Sequence, residues 1–423
     1  MKSEVGVCIW ALALLQMAVG APVISDVSVV QARNRKVTVS YVLSGDPAIV
    51  TLDFETNTLA DASGEWVRVG GGVVGDVFGD ADRYVKTTGA KVAYWRPDRS
   101  WGGQTVTDGR IRAVVTAWAT NAPPEYMAVD LENDCLVSYY SDKEAVPGSV
   151  GDDMYKTRKL LMRKVPAAGV PWTMGSSIYE EYRSENETPH RVTLSDDFYI
   201  GVYEVTRGQW AYCGLADPSE FSWPGRSMML PLHKADYRNV RGTDKIFMRT
   251  GSEVGSGTFL DWVRKHAGVA VDLPTSAQWE FACRAGKGGA VYQGYFGSKD
   301  TSQSIADMKR IAWFADNSSE GCDGAQVHEV GLKEPNAFGL YDMIGNVSEW
   351  CLDFYSNTYY ANSPELDPHG PAACELGQDF LIQRGSGYNR AWNGMRIARF
   401  DGDLPWGQSN VYGFRVCAPA VAY

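Results

Sequence analysis

Apolar and polar residues alternate in short runs over residues 22–150. In the run VTVSYVL at 37–43, Val37, Val39 and Tyr41 alternate with Thr38 and Ser40. A period of two puts one set of side chains on each face of a strand, which is typical of a half-buried strand. Similar runs follow at 48–54 (AIVTLDF), 65–69 (EWVRV), 91–95 (KVAYW) and 111–118 (IRAVVTAW), with turn residues between them. The pattern predicts a small antiparallel β-sandwich.

Short strands at this spacing are typical of an all-β immunoglobulin-like or fibronectin III-like sandwich. Domains of this kind act as spacers or docking modules, and the region carries no catalytic constellation of its own. The segment SDKEAVPGSV at 141–150 is polar and contains proline and glycine. We therefore interpret it as a linker and place the domain boundary near residue 150.

The region 151–423 has a few helix signals among loops rich in tryptophan, glycine and asparagine. Two Thr-x-x-Gln pairs have the spacing of a helix capping box, Thr206 with Gln209 and Thr275 with Gln278. Gly286 predicts the end of the second of these helices. A third helix is predicted between Thr258 and Gly268. Short helices set among long aromatic loops indicate an α+β domain that is low in regular secondary structure, with its function in the loops.

The N-terminal segment at 1–20 predicts a cleaved signal peptide. It has one lysine, an apolar run, and small residues at Ala18 and Gly20. The alternative is an uncleaved membrane anchor, but the run is shorter than the ~20 apolar residues of a spanning helix, and Gln16 interrupts it. We therefore expect an exported protein (periplasmic, cell-surface or secreted) that is not an integral membrane protein.

The formal net charge is -11 at pH 7. Proteins that bind a nucleic-acid backbone usually carry a surplus of basic residues. The acidic balance therefore argues against a nucleic-acid partner.

The cysteine count limits the possible disulfides. Loss of Cys8 with the signal peptide leaves seven cysteines, and an odd number cannot all pair within one chain. We expect one or two structural disulfides and a few buried free thiols.

Six sequence blocks in the second region carry a family resemblance. They are PWTMGSS (171–177), ETPHRVTLSDDFYIGVYEVTRGQW (187–210), LPTSAQWEFACRAG (273–286), EPNAFGLYDMIGNVSEW (334–350), RGSGY (384–388) and YGFRV (412–416). In this order they resemble the sulfatase-modifying factor family, typified by formylglycine-generating enzyme. The resemblance covers about residues 155–423. It implies a compact α+β domain related to C-type lectins.

The chain departs from the family's active members at the oxidation site. The resemblance implies copper held by two cysteines shortly after the RGSGY block, since Cu(I) prefers soft thiolate ligands. No cysteine lies between Cys374 and Cys417, and residues such as Arg390 and Met395 stand in that window. The sequence therefore does not favour copper or an oxidase.

The segment RGSGYNRAWNGMRIAR at 384–399 is interpreted as the wall of a ligand-binding groove. Guanidinium, amide and aromatic groups of this kind recognise carboxylate, sulfate, peptide backbone or sugar, so we expect a peptide, protein or carbohydrate ligand. The candidate groove residues are Tyr388, Arg390, Trp392, Asn393, Arg396 and Trp406. The alternative is that Arg396 and Arg399 pair with buried carboxylates and that Trp392 lies in the core.

A structural calcium site is predicted in YDMIGNVSEW. The resemblance implies side-chain oxygens of Asp342 and Glu349 and backbone carbonyls of Gly345 and Val347 as ligands, the oxygen-rich set that Ca²⁺ requires. The alternative is a solvated turn with Glu349 in an ion pair. The resemblance also implies a second, weaker site at Asn317.

These observations lead to one hypothesis and two alternatives. The hypothesis is an exported, two-domain protein whose second domain, 151–423, binds a ligand and does not oxidise cysteine. The first alternative is a formylglycine-generating oxidase that acts on sulfatases. The second is a structural cell-surface protein.

Overall fold

The computed structural model describes residues 10–12, 20–59, 62–102, 110–219, 227–242, 253–291, 301–322 and 324–420. The chain divides into two compact units. The first comprises 1–128, 137–152 and 420–423, and the second comprises 129–136 and 153–419. Apart from 10–12 and residue 20, the predicted signal peptide lies outside the described residues.

The first unit is rich in β-strands. Its elements are β1 (Trp10–Leu12), β2 (Val23–Gln31), β3 (Val37–Ser44), β4 (Ala48–Asn57), β5 (Trp66–Arg68), β6 (Val77–Gly79), β7 (Arg83–Val85), β8 (Gly89–Trp95), α1 (Pro97–Ser100) and β9 (Ile111–Ala119). The strands β10 (Tyr126–Asp130) and β11 (Leu136–Tyr140) follow. All five strands predicted from the alternation are confirmed.

Strands β1–β9 of this unit form two sheets. One has the order β1-β9-β4-β5, with β7 also paired to β4, and the other has the order β2-β3-β8-β6. Val39 and Leu43 from the second sheet and Phe54 from the first belong to one buried cluster. Along β3, buried and half-buried positions alternate. The apolar set predicted from the period of two therefore faces the core.

The second unit has short helices and strands separated by long loops. Its elements are α2 (Met154–Thr157), β12 (Lys159–Val165), β13 (Pro171–Met174), β14 (His190–Thr193), β15 (Phe198–Gly201), α3 (Arg207–Ala211), α4 (Tyr237–Val240), α5 (Phe259–Ala267), α6 (Ser276–Arg284), α7 (Thr301–Ile311), β16 (Ser348–Phe354), α8 (Tyr359–Asn362), β17 (Leu381–Arg384), a 3-10 turn (Trp392–Gly394), β18 (Phe400–Asp403), β19 (Tyr412–Gly413) and β20 (Cys417–Pro419). No helix within the described ranges is long and apolar enough to cross a membrane.

The predicted helix ends are confirmed. Thr206 caps α3 and Thr275 caps α6, each with both hydrogen bonds of a capping box. Thr258 caps α5, which ends at a left-handed Gly268. Helix α6 ends at Arg284, where the sequence predicts its end, and both Ala285 and Gly286 adopt the left-handed conformation.

A four-stranded sheet positions the candidate site. Its order is β18-β17-β16-β19, with β16 and β19 parallel and the other pairs antiparallel. Helix α6 contributes Trp279 and Ala282 to the core of the unit, and the loop segments contribute Ile344 and Met395. Close packing of these side chains holds the sheet and its flanking turns in fixed positions.

Candidate functional site

A cavity of about 350 Å³ lies over one face of this sheet. Each of the four strands contributes one lining residue: Ser348 from β16, Gln383 from β17, Asp401 from β18 and Tyr412 from β19. Gln383 is the cross-strand partner of Asp401, and Ser348 is the partner of Tyr412. Directly paired residues point to the same face of a sheet. The pairing register therefore gathers four polar side chains that are far apart in sequence.

The turn after β17 forms one wall of the cavity through Gly387, Asn389 and Arg390. A side chain at Gly387 would approach Val411 to 2.5 Å, so only glycine lets the turn pass this close to the opposite wall. The Ser386 hydroxyl donates to the Gly394 carbonyl at 3.1 Å and fixes the turn further. Ser409 and Val411 line the other wall.

Ion pairs hold the charged residues of the cavity. The Asp401 carboxylate accepts hydrogen bonds from Arg390 at 2.9 Å and from Arg399 at 2.8 Å. The Tyr412 hydroxyl donates to Asp403 at 2.7 Å. Arg390 remains about half exposed. Because Asp401 neutralises it only in part and solvent still reaches it, Arg390 stays available to a ligand.

Gln383 has an unused hydrogen-bond donor. Its side chain is 2 % exposed, and its amide nitrogen Nε2 has no partner among the described residues. Buried donors are normally bonded, because leaving one without an acceptor costs about 1–3 kcal/mol. Because Gln383 also lines the cavity, an oxygen acceptor bound there is one way to satisfy this nitrogen.

The structure brings only one of the predicted groove residues, Arg390, into the cavity lining. Tyr388 is buried in a small cluster with Val347 and Leu230. Trp392 lies in the 3-10 turn, packed against the core and edge-on to Tyr182. The lining does not include Trp392, Asn393 or Trp406, although Trp406 is half exposed.

The prediction that Arg396 faces a ligand is wrong. Arg396 is 1 % exposed and donates to both carboxylate oxygens of Glu187 at 2.6 Å and to Glu180 at 3.0 Å. The structural alternative raised for this residue applies instead. A buried guanidinium requires such partners because removing its charge from water is costly.

Sequence reasoning missed most of the cavity residues. Ser348 and Tyr412 lie within two of the six blocks, where nothing marks them as cavity residues, and Gln383, Asp401 and Ser409 lie outside the blocks. Each carries an ordinary polar group, and only the strand register places them together. No local sequence signal identifies them.

The donor set does not fit a copper site of the kind that the resemblance implies. Arg390 binds Asp401, and Met395 is fully buried in the core. The cavity lining in the described structure contains no cysteine. One buried thioether does not replace two thiolates.

The expectation of one or two disulfides is wrong, since all seven described cysteines are free. Burial raises the pKa of the Cys283, Cys351 and Cys417 thiols. These thiols are therefore protonated and unreactive at neutral pH.

The predicted calcium loop surrounds a group of buried carboxylates. Glu349 accepts from Arg415 at both oxygens, at 2.6 and 2.7 Å, and from the Trp279 indole at 2.6 Å. The ion pair proposed as the alternative for Glu349 is therefore present. A carboxylate has about four acceptor positions, so one position on Glu349 remains unused.

Asp342 has no such partner for one of its oxygens. Its Oδ2 accepts from the Gly331 amide at 2.7 Å, whereas its buried Oδ1 has no hydrogen-bond partner in the described structure. Burial raises the pKa of Asp342 to about 6. A carboxylate in this state is destabilised unless a proton or a cation compensates it.

A third carboxylate, Glu204, adds to the negative charge of this loop. It accepts from the Asn346 side chain at 2.7 Å and the Val347 amide at 3.0 Å. Burial, followed by the charges of Asp342 and Glu349, raises the pKa of Glu204 well above its usual value. Three buried carboxylates thus share one buried guanidinium, that of Arg415. No sequence motif links Glu204 to this loop, because it lies 138 residues before Asp342 in the chain.

No group of three or more His, Cys, Asp or Glu side chains could hold a metal ion in the part of the chain that is described. A calcium ion in this loop would therefore depend on backbone carbonyls. The residues implied by the resemblance, Gly345 and Val347, lie between the two carboxylates in sequence and are both buried. The unpartnered oxygen of Asp342 could serve as a side-chain ligand of such an ion.

The second, weaker site at Asn317 does not fit a cation. The side-chain oxygen of Asn317 accepts from the Phe314 amide at 2.8 Å, and its nitrogen donates to the Ala312 carbonyl at 2.9 Å. The neighbouring Ser318 carbonyl accepts from the His328 ring at 2.9 Å. Asn317 therefore serves to close a turn, and the Ser318 carbonyl is already used.

Comparison with known proteins identifies the family of the second unit. Residues 156–420 match the family model described as sulfatase-modifying factor enzyme 1-like domain. The chain therefore belongs to the sulfatase-modifying factor family. This result confirms the family resemblance inferred from the six sequence blocks.

Formylglycine-generating enzymes are among the similar proteins. The enzyme of Streptomyces coelicolor is 28% identical over 286 residues, which cover 60% of this chain and 88% of that protein. The enzyme of Mus musculus is 26% identical over 253 residues, covering 53% and 66% respectively. Among solved structures, PvdO from Pseudomonas aeruginosa has a TM-score of 0.49 and 25% identity, and covers 62% of this chain and 94% of that one.

Proposed function

We propose that the second unit binds a small polar ligand in the cavity over the β16–β19 sheet and does not oxidise cysteine. The unpartnered Gln383 amide at the floor of the cavity carries this proposal. The Arg390–Asp401 pair supports it, since Arg390 lies in the window where the resemblance implies thiolates. Such a site offers fixed donors and acceptors but no soft metal ligands.

The test is an incubation with a CxPxR peptide, Cu(I) and oxygen, followed by mass spectrometry. We expect the peptide cysteine to stay unmodified, while the Streptomyces coelicolor enzyme, run in parallel as a positive control, converts its peptide to formylglycine. Copper-dependent conversion by this chain would support the oxidase alternative and exclude the non-oxidising function.

We propose in addition that the Asp342 loop holds a structural calcium ion. Asp342 Oδ1 and the remaining acceptor position of Glu349 would provide side-chain oxygens, and the Gly345 and Val347 carbonyls would complete the set. The support is the excess of buried negative charge around Asp342 and Glu204. The ion would stabilise the loop and take no part in ligand chemistry.

For the remaining parts of the chain we propose an immunoglobulin- or fibronectin III-like first domain over 22–150, and a relation of the second domain to C-type lectins.

We also propose export after removal of residues 1–20. The apolar run and the small residues at Ala18 and Gly20 support export. The intact mass of protein recovered outside the cytoplasm tests it, and a mass that includes residues 1–20 would contradict cleavage.

A further inference from the structure

The charges around the cavity balance one another. Arg390 and Arg399 both pair with Asp401, and Asp403 lies on the same strand as Asp401. Two guanidinium groups thus face two carboxylates. A ligand with a net charge gains no surplus of opposite charge here, and it would have to disrupt an existing pair to make one. The cavity is therefore suited to a neutral ligand.

The hydrogen-bonding groups of the cavity include donors and acceptors side by side. The Gln383 nitrogen requires an acceptor, the Asp401 carboxylate accepts, and the Ser409 hydroxyl can do both. The Ser348 hydroxyl donates to the Arg384 carbonyl at 3.4 Å and offers only its oxygen, as an acceptor. A ligand hydroxyl also donates and accepts. A row of ligand hydroxyls therefore matches this set better than a ligand with acceptors alone, such as sulfate.

The strands at the floor of the cavity have no free backbone hydrogen-bonding edge for an extended peptide. The two central strands, β16 and β17, are each paired on both sides. Their backbone groups cannot take up an added strand. The side chains above them are the groups that a ligand would contact.

The size and the apolar part of the lining agree with a small ring. A cavity of about 350 Å³ lies at the low end of the roughly 300–1,000 Å³ found for ligand sites. Val411 and the ring of Tyr412 contribute apolar surface, and the bond from Tyr412 to Asp403 fixes the ring. A sugar presents both hydroxyls and an apolar C–H face.

Building on the proposed ligand-binding function, we propose that this cavity binds a neutral carbohydrate unit. The Gln383 Nε2 group donates to a sugar oxygen at the floor. Asp401 accepts from a hydroxyl, and the exposed Arg390 donates to a neighbouring oxygen. The remaining contact is the apolar face of the sugar against Tyr412.

The experiment titrates the full chain with glucose, galactose, mannose and N-acetylglucosamine, each alone, and follows binding by saturation-transfer NMR. Sulfate and the CxPxR peptide are separate probes. We expect at least one sugar to bind, and we expect Gln383→Met to weaken that binding about tenfold, because the variant keeps the side-chain volume and removes the amide donor. Arg310→Met is the matched control, since Arg310 forms a surface pair with Glu334 outside the cavity.

Asp401→Asn tests the charge argument directly. It leaves Arg390 and Arg399 without their shared carboxylate, so this variant should gain sulfate binding that the parent protein lacks. If Gln383→Met does not fold, Asn389→Ala, on the exposed turn of the wall, takes its place and should also weaken sugar binding.

The outcomes separate the two proposals. Failure of all four sugars to bind overturns the carbohydrate proposal, as does binding that Gln383→Met, or its replacement, leaves unchanged. If sulfate or the unmodified peptide binds in place of the sugars, the ligand-binding function stands and only the ligand class is wrong. Conversion of the peptide to formylglycine contradicts the proposed function itself.

Discussion

Buried arginines decide much of the local geometry at the scale of single residues. Arg384, Arg396 and Arg415 are all fully buried, and each pairs with a glutamate. Arg384 also donates to the carbonyls of Ile397 and Ala398, at 3.1 Å each. Removing one partner of such a pair leaves an uncompensated charge, which costs about 3–5 kcal/mol. These pairs therefore fix the loops relative to the sheet.

Asp353 gives a pH prediction at the same scale. Its carboxylate is buried and accepts from the Ser276 amide at 2.7 Å, and burial raises its pKa to about 6. In the unfolded chain the pKa of an aspartate is about 3.9. The folded state therefore binds more protons between pH 4 and 6, so the contribution of Asp353 to stability falls as the pH rises through this window.

Asp353→Asn removes this titration and keeps an acceptor for Ser276. The free energy of unfolding of the variant relative to the parent should rise by on the order of 2–3 kcal/mol between pH 4 and 6. Urea unfolding at several pH values measures it. Asp316→Asn changes the same charge at an exposed position and serves as the control. A difference that stays flat across the window would contradict the prediction.

Secondary-structure elements place the site residues through their ends and their register. Helix α6 begins at a capping box, in which Thr275 Oγ1 accepts from the Gln278 backbone amide at 3.1 Å and Gln278 Oε1 accepts from the Thr275 backbone amide at 2.9 Å. This start sets the phase of the helix, and with it the positions of Trp279 and Glu280. Trp279 then donates to Glu349 on β16. A local cap thus contributes to the geometry around Glu349.

Thr275→Ala should destabilise the second unit by about 1 kcal/mol, because the helix loses the acceptor for its Gln278 amide. Thr275→Ser keeps the hydroxyl and should recover most of the loss. Chemical unfolding of both variants gives the two free energies. Equal stability of the alanine and serine variants would show that the hydroxyl contributes nothing and that only the buried methyl group matters.

At the scale of the whole molecule, stability measurements with and without calcium test whether a cation compensates the buried carboxylates of Asp342, Glu204 and Glu349. Calcium should stabilise the second unit through the Asp342 loop, by about 2.7 kcal/mol at a concentration of 100 times the Kd. Hydrogen exchange in peptides that cover 340–350 should be slower with calcium than with EDTA. Exchange in β2–β9 of the first unit should not change.

Asp342→Asn should abolish the difference between calcium and EDTA. Asp353→Asn alters another buried aspartate outside the loop and should preserve it. The calcium assignment fails if the parent protein shows the same melting temperature and the same exchange in both conditions, and Asp342 is then compensated by a proton.

The sequence by itself determined the features that depend on near neighbours. Alternation over a few residues gave the strands of the first unit, and Thr-x-x-Gln pairs gave two helix starts, because a period and a cap involve residues at most a few positions apart. The order of the six sequence blocks identified the family.

The tertiary structure decided which polar residues line the cavity. Arg390 and Arg396 are indistinguishable as residue types, but Arg396 meets Glu187, 209 positions away, whereas Arg390 lies at a cavity. Gln383 meets Asp401 only through the strand register. Burial and pairing over such distances depend on the fold as a whole, and no local pattern encodes them.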